Sequence, residues 1–186
     1  MSGDDSTESG DARASTVALR RFDPSRDDAA ALHALHERAL RDAGTDPADV
    51  PGTEDLDDVP GTYLAGGEFL VGHGDGSVVA MGGFRPASDL PSGGHEGFEP
   101  GAAADDDAVE LFRIAVDPTV QGRGLGGDLL AELERRAAAT GFAWAVLTTA
   151  AHQRAGVELY RSRGYREVGR MQQGEYELVR FEKRLE

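Results

Sequence analysis

Gln121-Gly122-Arg123-Gly124-Leu125-Gly126-Gly127 holds four glycines among seven residues. It follows an apolar run, Leu111-Phe112-Arg113-Ile114-Ala115-Val116, and precedes Leu125, Leu129, Leu133 and Ala137 at helical spacing. A strand that feeds a glycine-rich turn at a helix N-terminus suits an anion. The first helical amides have no intrahelical acceptor, and the helix dipole favours negative charge beside them. Glycine lets a phosphate approach that backbone without a Cβ in the way. The chemistry therefore starts with a phosphate compound.

Which compound depends on context. Gly122, Gly124 and Gly127 satisfy G-x-G-x-x-G, the dinucleotide fingerprint. That fingerprint expects an acid about 20 residues on, at the end of the next strand, to hold a ribose. Here that strand ends in Leu147-Thr148-Thr149-Ala150, and too little chain remains for further βαβ units. A Walker loop needs Lys-Ser/Thr after the glycines, and none follows. A purely structural glycine turn is the remaining bland reading.

The elements that must position this loop are legible as a series. Val17 to Phe22 alternates as a strand, and Asp23-Pro24-Ser25 starts a helix carrying Leu32, Leu35, Ala39, Leu40 and Ala43, ended by Gly44. His33 and His36 sit on that helix with no further metal ligands nearby, so a solvated face is expected. A short helix is predicted around Glu54 to Tyr63. Glu68 to Gly72 and Ser77 to Phe84 read as strands joined through Gly72-His73-Gly74-Asp75-Gly76, with His73 solvated in the turn. Residues 86 to 107 are a long Pro/Gly/Asp-rich connection holding His95 and Asp105-Asp106-Asp107, the latter read as a solvated run. Then come a strand Val109 to Val116, a helix from near Gly124 to Gly141, and a buried strand Phe142 to Thr149 with Phe142 and Trp144 as core. A helix Ala155 to Arg163 and strands Tyr165 to Met171 and Tyr176 to Leu185 complete the chain. The order β-α-(α)-β-β-β-α-β-α-β-β predicts one domain, residues 16–186, with a mixed sheet and helices on both faces. Residues 1–15 are acidic and polar, and are expected to be disordered.

Composition narrows the class. Cysteine is absent, which excludes disulfides, thiolate metal sites and a cysteine nucleophile. No apolar run is long enough to cross a bilayer, and a cytoplasmic protein is the default expectation. A net charge of −15 argues against nucleic acid or an anionic membrane as partner. Lys183 is the only lysine, and Asp, Ala and Gly abound. That profile fits a halophilic protein in a high-salt cytoplasm, where a Debye length of roughly 3 Å at 1 M salt leaves little long-range steering.

Val116-Asp117-Pro118 followed by Gln121-Gly122-Arg123-Gly124-Leu125-Gly126 resembles the acetyl-CoA signature of the GNAT acetyltransferases. Gln153-(two residues)-Gly156-(two residues)-Leu159-Tyr160-(three residues)-Gly164-Tyr165 is similar to the family's later block, and Phe181 to Leu185 to its closing strand. The resemblance spans residues 16 to 186, with Gln153 where Asn is common and Gly156 where Ala is common. It implies an α/β (α+β) single-domain GNAT fold: a mixed, mostly antiparallel sheet of six to seven strands with about four helices on both faces. It implies that amides of Gln121, Gly122, Arg123, Gly124, Leu125 and Gly126 hold the CoA pyrophosphate, with Gly127 also counted among the cofactor-binding residues. It further implies that backbone groups of Ile114, Ala115 and Val116 pair with the pantetheine arm, with Gln153 nearby. Acetyl-CoA is then the cosubstrate, with no metal, and the acceptor is an amine of a small molecule or protein. Homodimers are common in the family, and no local signal decides for or against one here.

Acyl transfer to an amine must remove a proton from a group with a pKa near about 10.4, and stabilise charge on the thioester oxygen. The leaving thiolate then takes a proton. Glu110, six residues before Val116, stands where some GNAT members carry a catalytic Glu; the plain alternative is a strand-edge carboxylate. Tyr160 matches the family's general-acid tyrosine; the alternative is an amphipathic packing residue. The amide of Ala115 or Val116 could polarise the thioester carbonyl. His152 is either another base or a helix cap, with the cap favoured. A catalytically silent acyl-CoA-binding module carrying the same loop is the competing function.

Overall fold

The computed structural model describes residues 17–89, 98, 101 and 107–186. The expected acidic tail, His95, Asp105 and Asp106 lie outside those residues. The strands are β1 (Leu19–Arg21), β2 (Glu68–Gly74), β3 (Ser77–Pro86), β4 (Ala108–Val116), β5 (Trp144–Ala150), β6 (Arg166–Gln173) and β7 (Tyr176–Arg184). The helices are α1 (Ala29–Asp42), α2 (Val59–Thr62), α3 (Leu125–Ala139) and α4 (Arg154–Ser162). The sheet order is β1-β2-β3-β4-β5-β7-β6, antiparallel everywhere except at β4–β5. The element order is the one predicted.

Local chemistry explains most boundaries. Asp28 caps α1 by accepting from the Ala30 amide at 3.0 Å, and Gly44 leaves the helix at φ +78°. The helix expected around Glu54 to Tyr63 is two pieces, a 3-10 turn Thr53–Leu56 and then α2. Pro60 has no amide to donate into the preceding turn, so the helix restarts with Asp58 accepting from the Gly61 amide. The β2–β3 connection is tighter than predicted. Asp75 (φ 50°) and Gly76 (φ 81°) alone form the turn, as in a two-residue hairpin.

The period-2 alternation of the strands divides the core between two faces. On one face Leu129, Leu130 and Leu133 of α3 and Val157 of α4 pack on Val109, Leu111, Leu147 and Phe181. On the other, Leu32 and Leu35 of α1 and Val59 of α2 pack on Phe69, Val71 and Met81. Each buried leucine contributes about 1.5–3 kcal/mol relative to exposure, which is how two short helical layers hold a long sheet.

The feature that positions the site is a break in the sheet's middle. β4 and β5 are paired only at Ala108↔Trp144, Val109↔Ala145 and Glu110↔Val146. Beyond Glu110 the two strands part, although β4 stays paired to β3 and β5 to β7. A β-bulge accompanies the parting. Met81 faces Ala115 while Gly83 faces Phe112, so Gly82 opposes two residues, and Arg113 adopts φ +56°. A Cβ on Gly82 would lie 2.8 Å from Ile114 Cδ1, so the residue across from the bulge has to be small. The bulge also resets the alternation. Phe112 packs on the α1 side, and Arg113 reaches the same side, to Asp55 and His36.

Candidate functional site

The parted strands open a cleft of about 1300 Å³. Its wall runs from Gln121, Gly122, Gly124, Leu125, Gly126 and Gly127, along Ile114, Ala115 and Val116, to Glu110 and Tyr160, with Gln153 opposite. Of the residues expected to form the site, only Arg123 stays off this wall. It is exposed, and its guanidinium points back to the Thr119 carbonyl at 3.5 Å.

The glycine loop is built as its sequence demands. Asp117 accepts from the Thr119 amide and hydroxyl at 3.0 and 2.7 Å and pairs with Arg38 of α1 at 2.8 Å, fixing the exit of β4. The Gln121 amide group donates to the Val116 carbonyl at 3.0 Å, tying the loop to the strand. Gly122 (φ 73°) and Gly124 (φ 85°) take left-handed conformations that a Cβ would strain. The first helical bond of α3 runs from the Asp128 amide to the Gly124 carbonyl, so the amides of Leu125, Gly126 and Gly127 precede the helix's own ladder.

Glu110 lies where the strands part. It is 5 % exposed, and burial raises its carboxyl above the usual 4.5, an effect opposed by Arg180 and more weakly by Arg85. Arg180 of β7 is 3 % exposed, 3.5 Å from Glu110, and donates to Thr148 at 3.1 Å. Its guanidinium faces the Phe98 ring at 5.5 Å. Tyr160 is 7 % exposed, and burial pushes its phenol up to about 12. Its ring packs on Tyr165 and Phe181, each at 5.9 Å. The phenol thus stays protonated at neutral pH. Gly156 leaves no steric gap to explain, since a Cβ there would meet the Tyr160 ring at an ordinary 3.6 Å.

The far end of the cleft is closed by a polar chain. Thr149 donates to Gln153 at 2.9 Å, Gln153 donates to Thr45 at 3.0 Å, and Thr45 meets His152 Nε2 at 2.8 Å. His152 also stacks on Tyr176 at 5.2 Å, whose hydroxyl donates to Asp49 at 2.7 Å. The helix-cap expectation for His152 is therefore corrected: α4 has no side-chain cap, and the histidine faces the cleft instead.

The expectation for His36 is corrected too. It is 8 % exposed rather than solvated, it accepts from Arg113 at 3.4 Å, and burial lowers it to about 4. His33 stays on the outer part of that helix and meets Asp57 at 2.8 Å. His73 lies on β2 beside the buried Asp27 at 3.4 Å, not free in the turn. Trp144 is only half-buried, with the Arg184 guanidinium 6.0 Å from its ring. Among the described residues no group of three or more His, Cys, Asp or Glu could hold a metal ion. No helix among them is long and apolar enough to cross a membrane.

Sequence reasoning missed Thr45, Arg113, Tyr176 and Arg180. Arg180 and Arg113 left a signal, each a charge inside an apolar stretch of its strand, between Val179 and Phe181 and between Phe112 and Ile114.

No curated protein matches the chain in sequence. Solved structures match it in shape. A GNAT-family acetyltransferase from Staphylococcus aureus Mu50 superposes with a TM-score of 0.71 at 15% identity, over 91% of this chain and 99% of that one. The yncA protein of Salmonella typhimurium, solved with its cofactor acetyl-CoA, gives 0.67 at 23% identity over 92% and 95%. The ribosomal-protein-S18-alanine N-acetyltransferase of Escherichia coli gives 0.63 at 20% identity over 90% and 93%. The profile of the Acetyltransferase (GNAT) family matches residues 29–165, and the chain belongs to that family.

Proposed function

We propose that this protein moves the acetyl group of acetyl-CoA to a primary amine of a small molecule or protein by direct attack on the thioester. One observation carries the reading. A single cleft joins the glycine loop, the open edge of β4, Glu110 and Tyr160. The residues present suit acetyl-CoA. Left-handed glycines and unladdered amides suit a pyrophosphate, and the edge of β4 from Ile114 to Val116 suits an extended arm with amides of its own. Bound acetyl-CoA supplies the acetyl group as a thioester.

The chain's residues divide the remaining work. Glu110 accepts a proton from the acceptor ammonium, directly or through water, and its burial makes it a stronger base than an exposed Glu. His152 is a poorer rival because its Nε2 is held by Thr45 at 2.8 Å and its ring lies against Tyr176. Tyr160 keeps its proton at neutral pH and gives it to the departing thiolate. The amide of Ala115 or Val116 donates to the oxygen on which charge develops. Phe98, Asp49 and Tyr176 line the same cleft and are available to contact the acceptor.

Thiol release from acetyl-CoA, measured with a panel of small amines, lysine peptides and peptide N-termini, tests the reading. Release that depends on one class of amine is the expected outcome. Tight CoA binding with no release for any amine would instead make the protein a silent acyl-CoA module.

A further inference from the structure

Arg180 is the most deeply buried cation on the face of β5 and β7 that turns away from α3 and α4. Val179 and Phe181 on either side of it enter the apolar core, so Arg180 projects to the opposite face. Its strand, β7, is separated from β4 by β5. The side chain nevertheless crosses β5. Nη1 donates to Thr148, its register partner there, and Nη2 lies 3.5 Å from Glu110 on β4. Glu110 belongs to the last pair joining β4 to β5 before they part. Arg180 therefore spans the fork at the point where the cleft begins. A buried guanidinium is costly unless paired, and Nη2 has no hydrogen bond of its own in the described residues. The Glu110 charge compensates it.

We propose that Arg180 is the positioning residue for Glu110: it fixes the carboxylate at the fork and keeps it ionised at working pH. The inference rests on Glu110 acting as the base. Burial alone favours a neutral carboxyl, which takes no proton from an ammonium. The other described charges on this face act weakly or elsewhere. Arg85, opposite Glu110 on β3, lies against the Tyr63 and Phe112 rings at 5.4 and 4.5 Å. Glu182, next but one on β7, is held by Arg166 of β6 at 2.9 Å. Among the described residues Arg180 supplies the nearest cation, and Thr148 and the Phe98 face hold it in place.

The test is the pH dependence of kcat/KM for thiol release in wild type, Arg180→Gln, Arg180→Lys and Glu110→Gln. An opposite charge this close shifts a carboxyl by about one to three pH units. The acidic limb should move up by that amount in Arg180→Gln, with activity recovering at high pH. Arg180→Lys should bring the limb most of the way back. The Kd for CoA should be unchanged in all three variants. A pH-independent loss in Arg180→Gln, with the limb where it was, overturns the proposal and leaves a structural strut. If Glu110→Gln keeps both its activity and the limb, the base assignment fails, and the proposal with it. Should Arg180→Gln not fold, Thr148→Val releases one end of the guanidinium and should still move the limb upward.

Discussion

At the residue scale, burial sorts the two groups proposed for proton transfer. It raises Glu110 towards a better base and raises Tyr160 to about 12, which holds its proton as an acid must. Because Glu110 is raised, its neutral form persists to higher pH than that of a free Glu. Activity should climb with pH through a limb above 4.5, and Glu110→Gln should lose that limb in a kcat/KM profile. Tyr160→Phe should lower kcat by about a hundredfold while leaving CoA affinity nearly intact, because a general acid contributes only in the transition state. Equal losses in kcat and in calorimetric CoA affinity would remove the acid role and leave a packing residue.

At the element scale, the β4 bulge decides the shape of the cleft. Arg113 holds a left-handed conformation that costs a non-glycine residue roughly 1–2 kcal/mol, and its guanidinium offsets this by gripping the segment after α1. It donates to Asp55 at 3.0 Å and to the Gly52 carbonyl at 2.5 Å, while Asp55 also accepts from the Tyr63 hydroxyl. Arg113→Ala should cost about 3 kcal/mol in urea unfolding, since it strands a partly buried carboxylate. Arg113→Gly should be more stable than Arg113→Ala by roughly 1 kcal/mol, the reverse of the usual strand preference, because glycine is at ease at positive φ. If alanine is the better of the two, the bulge does not hold that conformation in solution.

At the scale of the whole molecule, the acidic surface is the dominant field. Many arginines are matched to carboxylates, as in the Glu132–Arg135–Arg136–Glu68 and Arg161–Glu167–Arg170–Glu177 networks, yet the net charge remains −15. Exposed pairs contribute only about 0–1 kcal/mol each, so general self-repulsion outweighs what screening takes from them. The midpoint of thermal unfolding should therefore rise as KCl increases from about 0.1 to 1 M, where the Debye length shrinks from roughly 10 to 3 Å. A flat or falling midpoint in calorimetry would count against repulsion as a significant cost.

The sequence alone determined the features that depend on a few neighbouring residues. The Gln121 to Gly127 loop, the helical faces of α1 and α3, their glycine ends and the order of elements all follow from local conformational preference and periodicity. Glu110 and Tyr160 were singled out by the family resemblance of the motifs around them, and the fold brings both to the wall of one cleft. Arg180 against Glu110, Thr45 against His152 and Arg113 against Asp55 were not legible, since 107 residues separate Thr45 from His152 and 58 separate Asp55 from Arg113. Only the folded sheet decides such contacts. The parting of β4 from β5 and a one-residue bulge choose which side chains share a face, and neither leaves a periodic trace in the chain.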